Sequence, residues 1–315
     1  MKKLLLLATL AALSLLLFVA VFSLVHRPLV VGEIQSSLDY KLGYASRLGS
    51  PKLVILAGSN GRYSHRCEDF SSALGLPCVN ASIGVGIGLD FLLDQWRPLL
   101  QRGDVVYLPL EYGQYRMSTA EMQGGLQNAL LVHHHRDYLW SLGWRRVAAA
   151  YGSFDLPFLV HGLVEMTLSE RGFRRRSSTA SLTPQGDERD HTVEQAAPYA
   201  ALLRSSRAEA ATVPERSDAI AVLETFLAWS RAQGVTVVGG LPTVPDAVDV
   251  ASADVERLRR LYARHGQRFL ALPTLSRYPL GCFYDALYHL HEGCQHAHSV
   301  AIAAALLALQ NESRR

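Results

Sequence analysis

The stretch KLVILAGSNG, residues 52–61, is the clearest indication of the fold class. Its first six residues form a short apolar run typical of a strand, and the glycines that follow predict a tight turn. Ser59 lies in this turn, beyond the carboxyl end of the predicted strand. Open α/β sheets bind their ligands at that end of the strands.

Outward from this strand, short apolar runs alternate with longer segments of helical period. Such alternation predicts βαβ units over a parallel sheet. After an amphipathic segment at 34–48, we expect further strands at 77–81, 105–110, 235–241 and 268–272. We expect helices at 89–100, 217–233, 253–265 and 297–309.

The alternation fails between Tyr115 and Pro214. A connecting loop of that length is unusual in a compact domain, so we expect an inserted helical lid or subdomain at about 116–215. The polar composition of residues 177–194 favours disorder. We therefore predict one α/β domain over 52–315 that carries this insertion.

Residues 4–25 carry no charge and follow Met-Lys-Lys. At 1.5 Å per residue, a helix of that length spans roughly 33 Å, enough to cross the hydrocarbon core of a bilayer. Lys2 and Lys3 favour a cytoplasmic N-terminus, which sends the chain beyond His26 across the membrane. We predict a single-pass signal anchor at 1–26 and a connecting segment at 27–51. A cleaved signal peptide is the alternative, with the same compartment for the rest of the chain.

Composition limits the classes of function. With 315 residues, 49% of them hydrophobic, the chain can bury one substantial core. The net charge is +3, and the basic residues are scattered rather than gathered beside aromatics, which argues against a nucleic-acid partner.

Four cysteines fall in two close pairs, and an oxidising compartment would let each pair close a short loop. Three pairings are possible, and we favour Cys67 with Cys78 and Cys282 with Cys294. The alternative is that some of them are buried small apolar residues. Zinc is not expected, because no C-x-x-C spacing occurs.

Ser59 and two late residues, Asp285 and His289, form the candidate catalytic set. A serine hydroxyl needs a neighbouring imidazole to become a nucleophile near pH 7, and a carboxylate orients that imidazole. If the local chain is helical, Asp285 and His289 lie one turn apart and face the same cleft. Taken singly, Ser59 indicates only a tight turn. Asp285 and His289, taken singly, indicate a helix cap and a surface imidazole.

These segments resemble the SGNH/GDSL hydrolases, and more narrowly a group of membrane-anchored bacterial SGNH-like proteins. The resemblance covers about 52–115 and 216–309 and includes the segments LPLEY at 108–112 and YHL at 288–290. It implies a flavodoxin-like three-layer α/β/α sandwich with a mostly parallel sheet. It also implies that the N–H group of Ser59, with that of Ser82 or Gly84 in VNASIG at 79–84, holds the oxyanion.

The chain departs from the pattern of this family at three places. Its serine follows glycine as Gly-Ser-Asn rather than Gly-Asp-Ser, and the spacing of Asp285 and His289 is one residue longer than Asp-x-x-His. Glu111 and Tyr112 stand where the third block supplies an asparagine. One oxyanion donor is therefore missing or replaced. The three departures argue against efficient hydrolysis more than they argue against the fold.

Asn60, Glu111 and Tyr112 are candidate substrate-binding residues at the cleft edge. Glu111 could instead adjust the pKa of the imidazole or form an ordinary ion pair. Adjacent helical residues point about 100° apart, so a metal site at His133, His134 and His135 is not expected. The basic run at 174–176 indicates a solvated surface, or a contact for anionic lipid or acidic glycan. His291, His296 and His298 are less suited than His289, which has the spacing from Asp285.

Two hypotheses follow from these patterns. The resemblance implies a serine-dependent O-acyl esterase or transferase, acetyl being the expected group, on an extracytoplasmic glycan or another acylated molecule. It would lie at the bacterial inner membrane with its catalytic domain in the periplasm, need no cofactor, and work beside a membrane-bound O-acyltransferase. The alternative is a catalytically weak SGNH-like scaffold that binds glycan in an envelope polysaccharide complex.

Overall fold

The computed structural model describes residues 1–173 and 179–313. The chain is an α/β protein with a parallel central sheet, many helices and one apolar N-terminal helix. The basic run Arg174, Arg175 and Arg176 lies outside the described residues, as do Ser177 and Ser178.

The strands are short and the helices numerous within the described ranges. The strands are β1 (Leu53–Ile55), β2 (Cys78–Asn80), β3 (Val105–Leu108), β4 (Thr236–Gly239), β5 (Val244–Pro245), β6 (Arg268–Phe269) and β7 (Arg277–Tyr278). The α-helices are α1 (Lys2–Leu24), α2 (Glu33–Ala45), α3 (Ser59–Ser64), α4 (Cys67–Leu74), α5 (Leu89–Trp96), α6 (Tyr112–Arg116), α7 (Thr119–Met122), α8 (Gly125–His134), α9 (Arg136–Ser141), α10 (Trp144–Gly152), α11 (Leu156–Glu170), α12 (Val193–Ala196), α13 (Ala200–Ser205), α14 (Asp218–Gln233), α15 (Ser252–Arg264) and α16 (Glu292–Ser313).

The central sheet has the strand order β2-β1-β3-β4-β6, and every neighbouring pair is parallel. Leu53 of β1 pairs with Cys78 of β2 on one side and with Val105 of β3 on the other. The parallel sheet that the alternation predicted is therefore confirmed. A second sheet, β5 with β7, has two-residue strands that hydrophobic periodicity could not reveal.

Local chemistry sets the ends of the predicted helices. The Ser217 hydroxyl accepts a hydrogen bond from the Ile220 N–H at 3.0 Å and begins α14, and Gly234, with φ of 74°, ends it. α5 stops at Trp96, where a short 3-10 turn containing Pro98 continues the chain. α16 begins earlier than predicted, at Glu292, so the last helix follows His289 almost directly.

The chain divides into two units, one of 1–36 and 123–178 and the other of 37–122 and 179–315. The first unit holds α1 and most of the predicted insertion. The second unit holds both sheets and residues 179–215, which the sequence assigned to the insertion. This division differs from the predicted boundaries of 116 and 215.

The first unit is held together where α1 ends. Phe22 stacks on Phe154 with ring centroids 5.1 Å apart, and the Glu165 carboxylate accepts a hydrogen bond from Arg27 Nε at 2.8 Å. α1 is long and apolar enough to cross a membrane. α10 and α11 are long and apolar enough to cross a membrane only if they are taken together, and the two helices are bent by 77° relative to one another.

The prediction of disorder at 177–194 is wrong for the described residues from Thr179 onward. Asp187, Glu188 and His191 are buried in the second unit. Asp187 accepts hydrogen bonds from Asn80 Nδ2 at 3.0 Å and from the Cys67 N–H at 3.0 Å, while Glu188 pairs with Arg62. The polar residues that suggested disorder are therefore internal partners of one another and of the sheet.

Both disulfides join the cysteines of each close pair. Cys67 at the start of α4 is bonded to Cys78 of β2, and Cys282 is bonded to Cys294 of α16. The first fixes α4 to an edge strand of the sheet. The second closes the chain segment that contains Asp285 and His289.

A buried ion pair fixes the amino ends of β1 and β3. Lys52 Nζ lies 2.6 Å from Asp104 Oδ2, and the two side chains are 2% and 0% exposed. Asp104→Asn leaves a buried ammonium without its counter-charge, which we expect to lower the free energy of unfolding by about 3–5 kcal/mol. Chemical denaturation measures the change.

The matched control is Asp94→Asn, which removes a partly exposed carboxylate paired with Arg97. That variant should lose less than about 1 kcal/mol. Equal losses in the two variants would show that the buried pair does not carry the stability assigned to it.

Candidate functional site

The candidate site lies at the carboxyl ends of β1 and β3. The chain leaves β1 towards β2 on one side of it and later returns to β3 on the other side, so the strand order reverses at β1. Crevices that bind ligands in open parallel sheets form outside the strand ends at such a reversal. Ser59 follows β1 and Glu111 follows β3 at this edge.

Two glycines position Ser59 at the first residue of α3. A Cβ on Gly58 would lie 2.5 Å from Glu111 Oε1, and a Cβ on Gly61 would lie 2.1 Å from Ser82 Oγ. Neither position has room for a side chain. The turn after β1 therefore requires glycine on both sides of the Ser59-Asn60 dipeptide because the neighbouring strand ends approach it closely.

Ser59, His289 and Asp285 form a continuous chain of hydrogen bonds. Ser59 Oγ lies 2.8 Å from His289 Nε2, across a sequence separation of 230 residues. His289 Nδ1 lies 2.6 Å from Asp285 Oδ1. Since a carboxylate only accepts hydrogen bonds, Nδ1 carries the proton, and Nε2 of the neutral ring is free to accept the serine proton. This arrangement can activate a serine hydroxyl as a nucleophile.

A loop, rather than the helical turn considered from the sequence, brings Asp285 and His289 together. The loop is closed by a bridge between Phe283 and Leu290, and the Tyr284 N–H donates to the carbonyl of His289 at 2.8 Å. The Cys282–Cys294 disulfide lies at its base. The spacing suggested a helix because residues i and i+4 lie close together on a helix. Here the backbone hydrogen bonds of the loop bring the two side chains together without a helix.

The ring of Tyr63 holds the imidazole from its flat side. Tyr63 and His289 stack with centroids 4.1 Å apart and ring planes 12° apart. Tyr63 belongs to α3, the helix that Ser59 begins, so one short helix contacts both the nucleophile and its base. Tyr63 could not be predicted as a site residue, because an aromatic side chain next to arginine in a short helix has many uses.

The candidate oxyanion donors differ in availability. The Ser82 N–H donates to Asn80 Oδ1 at 3.2 Å, and Ser82 is fully buried, so it is not a free donor for a substrate. The N–H groups of Ser59 and Gly84 have no hydrogen-bond acceptor among the described residues. Of the predicted donors, Ser59 and Gly84 therefore remain.

Lys41 fixes the loop after β2 that contains Gly84. Its ammonium group is fully buried and donates to the carbonyl oxygens of Ser82 at 2.6 Å and of Gly186 at 2.7 Å. Burial lowers the pKa of Lys41 well below its usual range. Gly186 belongs to the segment at 177–194 whose composition predicted disorder. The contact between Lys41 and Gly186 was therefore not predicted.

Glu111 brings a buried carboxyl group to the serine. It is 7% exposed, and its Oε1 accepts a hydrogen bond from the Asn60 N–H at 3.2 Å. Burial raises the pKa of Glu111, opposed in part by the Asn60 N–H, the charge of His289 and the Ser59 hydroxyl. A carboxyl group in such surroundings keeps its proton to higher pH than an exposed one.

The other two candidate substrate-binding side chains are buried. Asn60 is fully buried, and its Nδ2 donates to the carbonyl of Pro109 at 2.7 Å. Tyr112 is also fully buried, at the start of α6. The Asn60 side chain therefore joins the turn after β1 to the end of β3. Substrate contact by Asn60 and Tyr112 stays a prediction.

His296 and His298 each have a side-chain hydrogen-bond partner away from Ser59. His296 Nδ1 lies 3.0 Å from Asp69 Oδ1, and His298 Nδ1 lies 2.7 Å from the Tyr278 hydroxyl. His291 lies with Cys282 and Cys294 in a group of metal-ligand type, but those two sulfurs form a disulfide. His133, His134 and His135 belong to the first unit.

A cleft of about 590 Å³ begins beside the loop of His289. Its wall includes Leu287 and Glu209, and Glu209 Oε2 lies 3.4 Å from the Tyr288 hydroxyl. The rest of the wall is mixed, with apolar side chains such as Val248 and carboxylates such as Asp246. Glu209 was not predicted as a site residue, because it lies in the stretch assigned to the insertion.

No protein-family model, curated protein or solved structure matches the chain.

Burial of histidine beside the site should make the fold sensitive to acid. His65, which ends α3, is fully buried, and this burial lowers its pKa to about 3. Below the ordinary value of about 6.5, the unfolded chain binds a proton that folded His65 does not, so stability falls as pH decreases from about 6.5 towards 3. From pH 7 to 5 we expect His65 to contribute a loss of about 2 kcal/mol.

Urea denaturation of the wild type and of His65→Gln at pH 7 and pH 5 measures this contribution. The variant should show a smaller loss between the two pH values. An equal loss in the two proteins would mean that His65 is not the group that titrates.

Proposed function

We propose that the chain is a serine-dependent O-acyl esterase or transferase with Ser59 as nucleophile. The hydrogen-bonded series Ser59, His289 and Asp285, with separations of 2.8 Å and 2.6 Å, carries the proposal. We propose in addition that the fold is a three-layer α/β/α sandwich of the SGNH kind. The parallel sheet and the serine directly after β1 support this assignment.

In the proposed reaction, Ser59 Oγ attacks the carbonyl carbon of an acyl ester while His289 Nε2 takes the hydroxyl proton. Asp285 stabilises the imidazolium that forms. The bond between carbonyl carbon and alcohol oxygen then breaks, and the alcohol leaves with the proton from His289. Water or a sugar hydroxyl completes the cycle by attacking the acyl-serine, with His289 again acting as base.

The negative charge on the carbonyl oxygen requires donors at the end of β1. We propose the N–H groups of Ser59 and Gly84 for this task, because neither has another acceptor among the described residues. A protonated Glu111 carboxyl would be the third donor, in the place where the related hydrolases carry an asparagine. As a neutral acid it donates one hydrogen bond, whereas as a carboxylate it would repel the oxyanion.

The compartment and the cleft favour a glycan substrate outside the cytoplasm. The apolar helix α1 is consistent with a single-pass anchor, and two disulfides fit an oxidising compartment. The carboxylates Glu209 and Asp246 in the cleft wall are acceptors for sugar hydroxyls, and apolar side chains between them suit the flat faces of sugar rings. An acyl group supplied by a membrane-bound O-acyltransferase fits this location.

One observation favours the second candidate, a catalytically weak scaffold that binds glycan. Glu111 places an acidic group, not an amide, beside the turn that carries Ser59. Its Oε1 would lie 2.5 Å from a Cβ on Gly58, the residue before the serine. If that group is ionised, the oxyanion is destabilised and turnover is slow. The cleft would then bind glycan without changing it.

A fluorophosphonate probe separates the enzyme from the scaffold. Ser59 in the wild type should form a covalent adduct detectable by intact mass, because the probe captures serines activated by an imidazole. His289→Gln should slow labelling by about 10³-fold or more, through loss of the base. Ser59→Ala is the control and should remain unlabelled. Absence of any adduct in the wild type would favour the scaffold.

Substitutions at Glu111 test the protonated third donor. If the neutral acid donates, Glu111→Gln keeps a donor and should retain ester hydrolysis, while Glu111→Ala should lower kcat by about 10²–10³-fold. In the wild type the rate should fall as rising pH ionises Glu111, because burial raises the pKa of this carboxyl group, and Glu111→Gln should lack this decline. Equal losses in the two variants, or the same decline with rising pH in Glu111→Gln, would contradict this role. Aryl acetates at several pH values provide the measurement.

A further inference from the structure

We propose that α9, α10 and α11 of the first unit form a second membrane contact, a surface that lies in the lipid interface where α1 leaves the bilayer. This lipid-facing surface consists of exposed apolar side chains on the three helices. Its principal members are Trp140, Trp144, Leu156, Val160, Leu163 and Val164. This lipid-facing surface would hold the chain at the membrane, and its role is independent of the chemistry at Ser59.

The exposure of this surface is unusual for a protein in water. Trp140 is 62% exposed and Trp144 is 70% exposed, and Leu156 reaches 69%. Large exposed apolar surfaces on a protein mark sites that contact membranes or other proteins. The surface therefore needs a covering partner.

α11 has the one-sided pattern of a helix that lies along an interface. Its exposed apolar residues at 156, 160, 163 and 164 recur at the spacing of a single helical face. The opposite face is occupied by the chain after α1. There Gly162 allows the backbone of His26 to approach, since a Cβ on Gly162 would lie 3.1 Å from the His26 carbonyl oxygen.

Contacts with the end of α1 fix the level of this surface. Phe22, in the last turns of α1, lies 6.1 Å from Phe158 of α11 between ring centroids, and the Ser23 hydroxyl lies 2.9 Å from that of Tyr151 in α10. Farther along α11, Glu165 accepts from the N–H groups of Leu29 and Val30 at 3.1 and 3.2 Å. Where α1 spans the bilayer, α10 ends and α11 begins at the depth at which α1 emerges.

The chemistry of the surface suits lipid at the headgroup level. Tryptophan is enriched at membrane interfaces, where its apolar ring and polar N–H can both be satisfied. Arg145 lies over the Trp144 ring at 5.6 Å and is exposed, so a cation stands beside the apolar side chains. The bend of 77° between α10 and α11 excludes one straight span by this pair. These features match an interfacial helix rather than a second crossing.

Tryptophan quenching by brominated phosphatidylcholine tests the proposal on the full chain in vesicles. The sequence has four tryptophans, which allow two matched double variants. Trp96→Phe with Trp229→Phe keeps the two surface rings at 140 and 144. Trp140→Phe with Trp144→Phe keeps the buried ring at 96 and the partly buried ring at 229.

In the first variant we expect about a twofold loss of emission with bromines placed near the headgroups, and a smaller loss with bromines deep in the acyl region. In the second variant the emission should change little. Lack of quenching at Trp140 and Trp144 would overturn the proposal. So would a blue-shifted emission that bromine leaves unchanged, because it would indicate that protein covers these rings.

Discussion

The hydrogen bond between Ser59 and His289 is the contact on which the functional interpretation depends. It joins positions separated by 230 residues, and it requires both the parallel register of β1 with β3 and the closed loop before α16. Gly58 and Gly61 make the approach of the serine possible because no side chain fits at either position. The geometry of the site is thus set by close backbone packing at one edge of the sheet.

Much of the sheet could be predicted from the sequence, because each buried parallel strand leaves a short apolar run such as KLVILA. Ser59 was proposed from its place after the first strand, and Asp285 and His289 were proposed from their spacing and from the family resemblance. The support around them was not. Asp187 and Glu209 lie in polar stretches with no periodicity, and burial by hydrogen-bond partners distant in sequence leaves no local signal. The two-residue strands β5 and β7 are too short for any pattern to reveal.

Glu111 shows how one residue can separate two functions on the same framework. A buried acid that keeps its proton is a donor to a developing oxyanion, while the ionised form opposes it. The pKa of Glu111 is raised by its burial, and the nearby N–H of Asn60 works in the other direction. In the proposed function, the balance between these influences decides whether the site turns over an ester or only binds one.

We propose that Ser59 is an activated nucleophile with an oxyanion site formed by its own N–H and that of Gly84. The most direct measurement is a crystal structure of the protein after reaction with an organophosphonate ester. We expect a covalent bond between Ser59 Oγ and phosphorus, with the phosphoryl oxygen within hydrogen-bond distance of both N–H groups. A structure with no bond to Ser59, or with that oxygen directed away from Gly84, would contradict the claim.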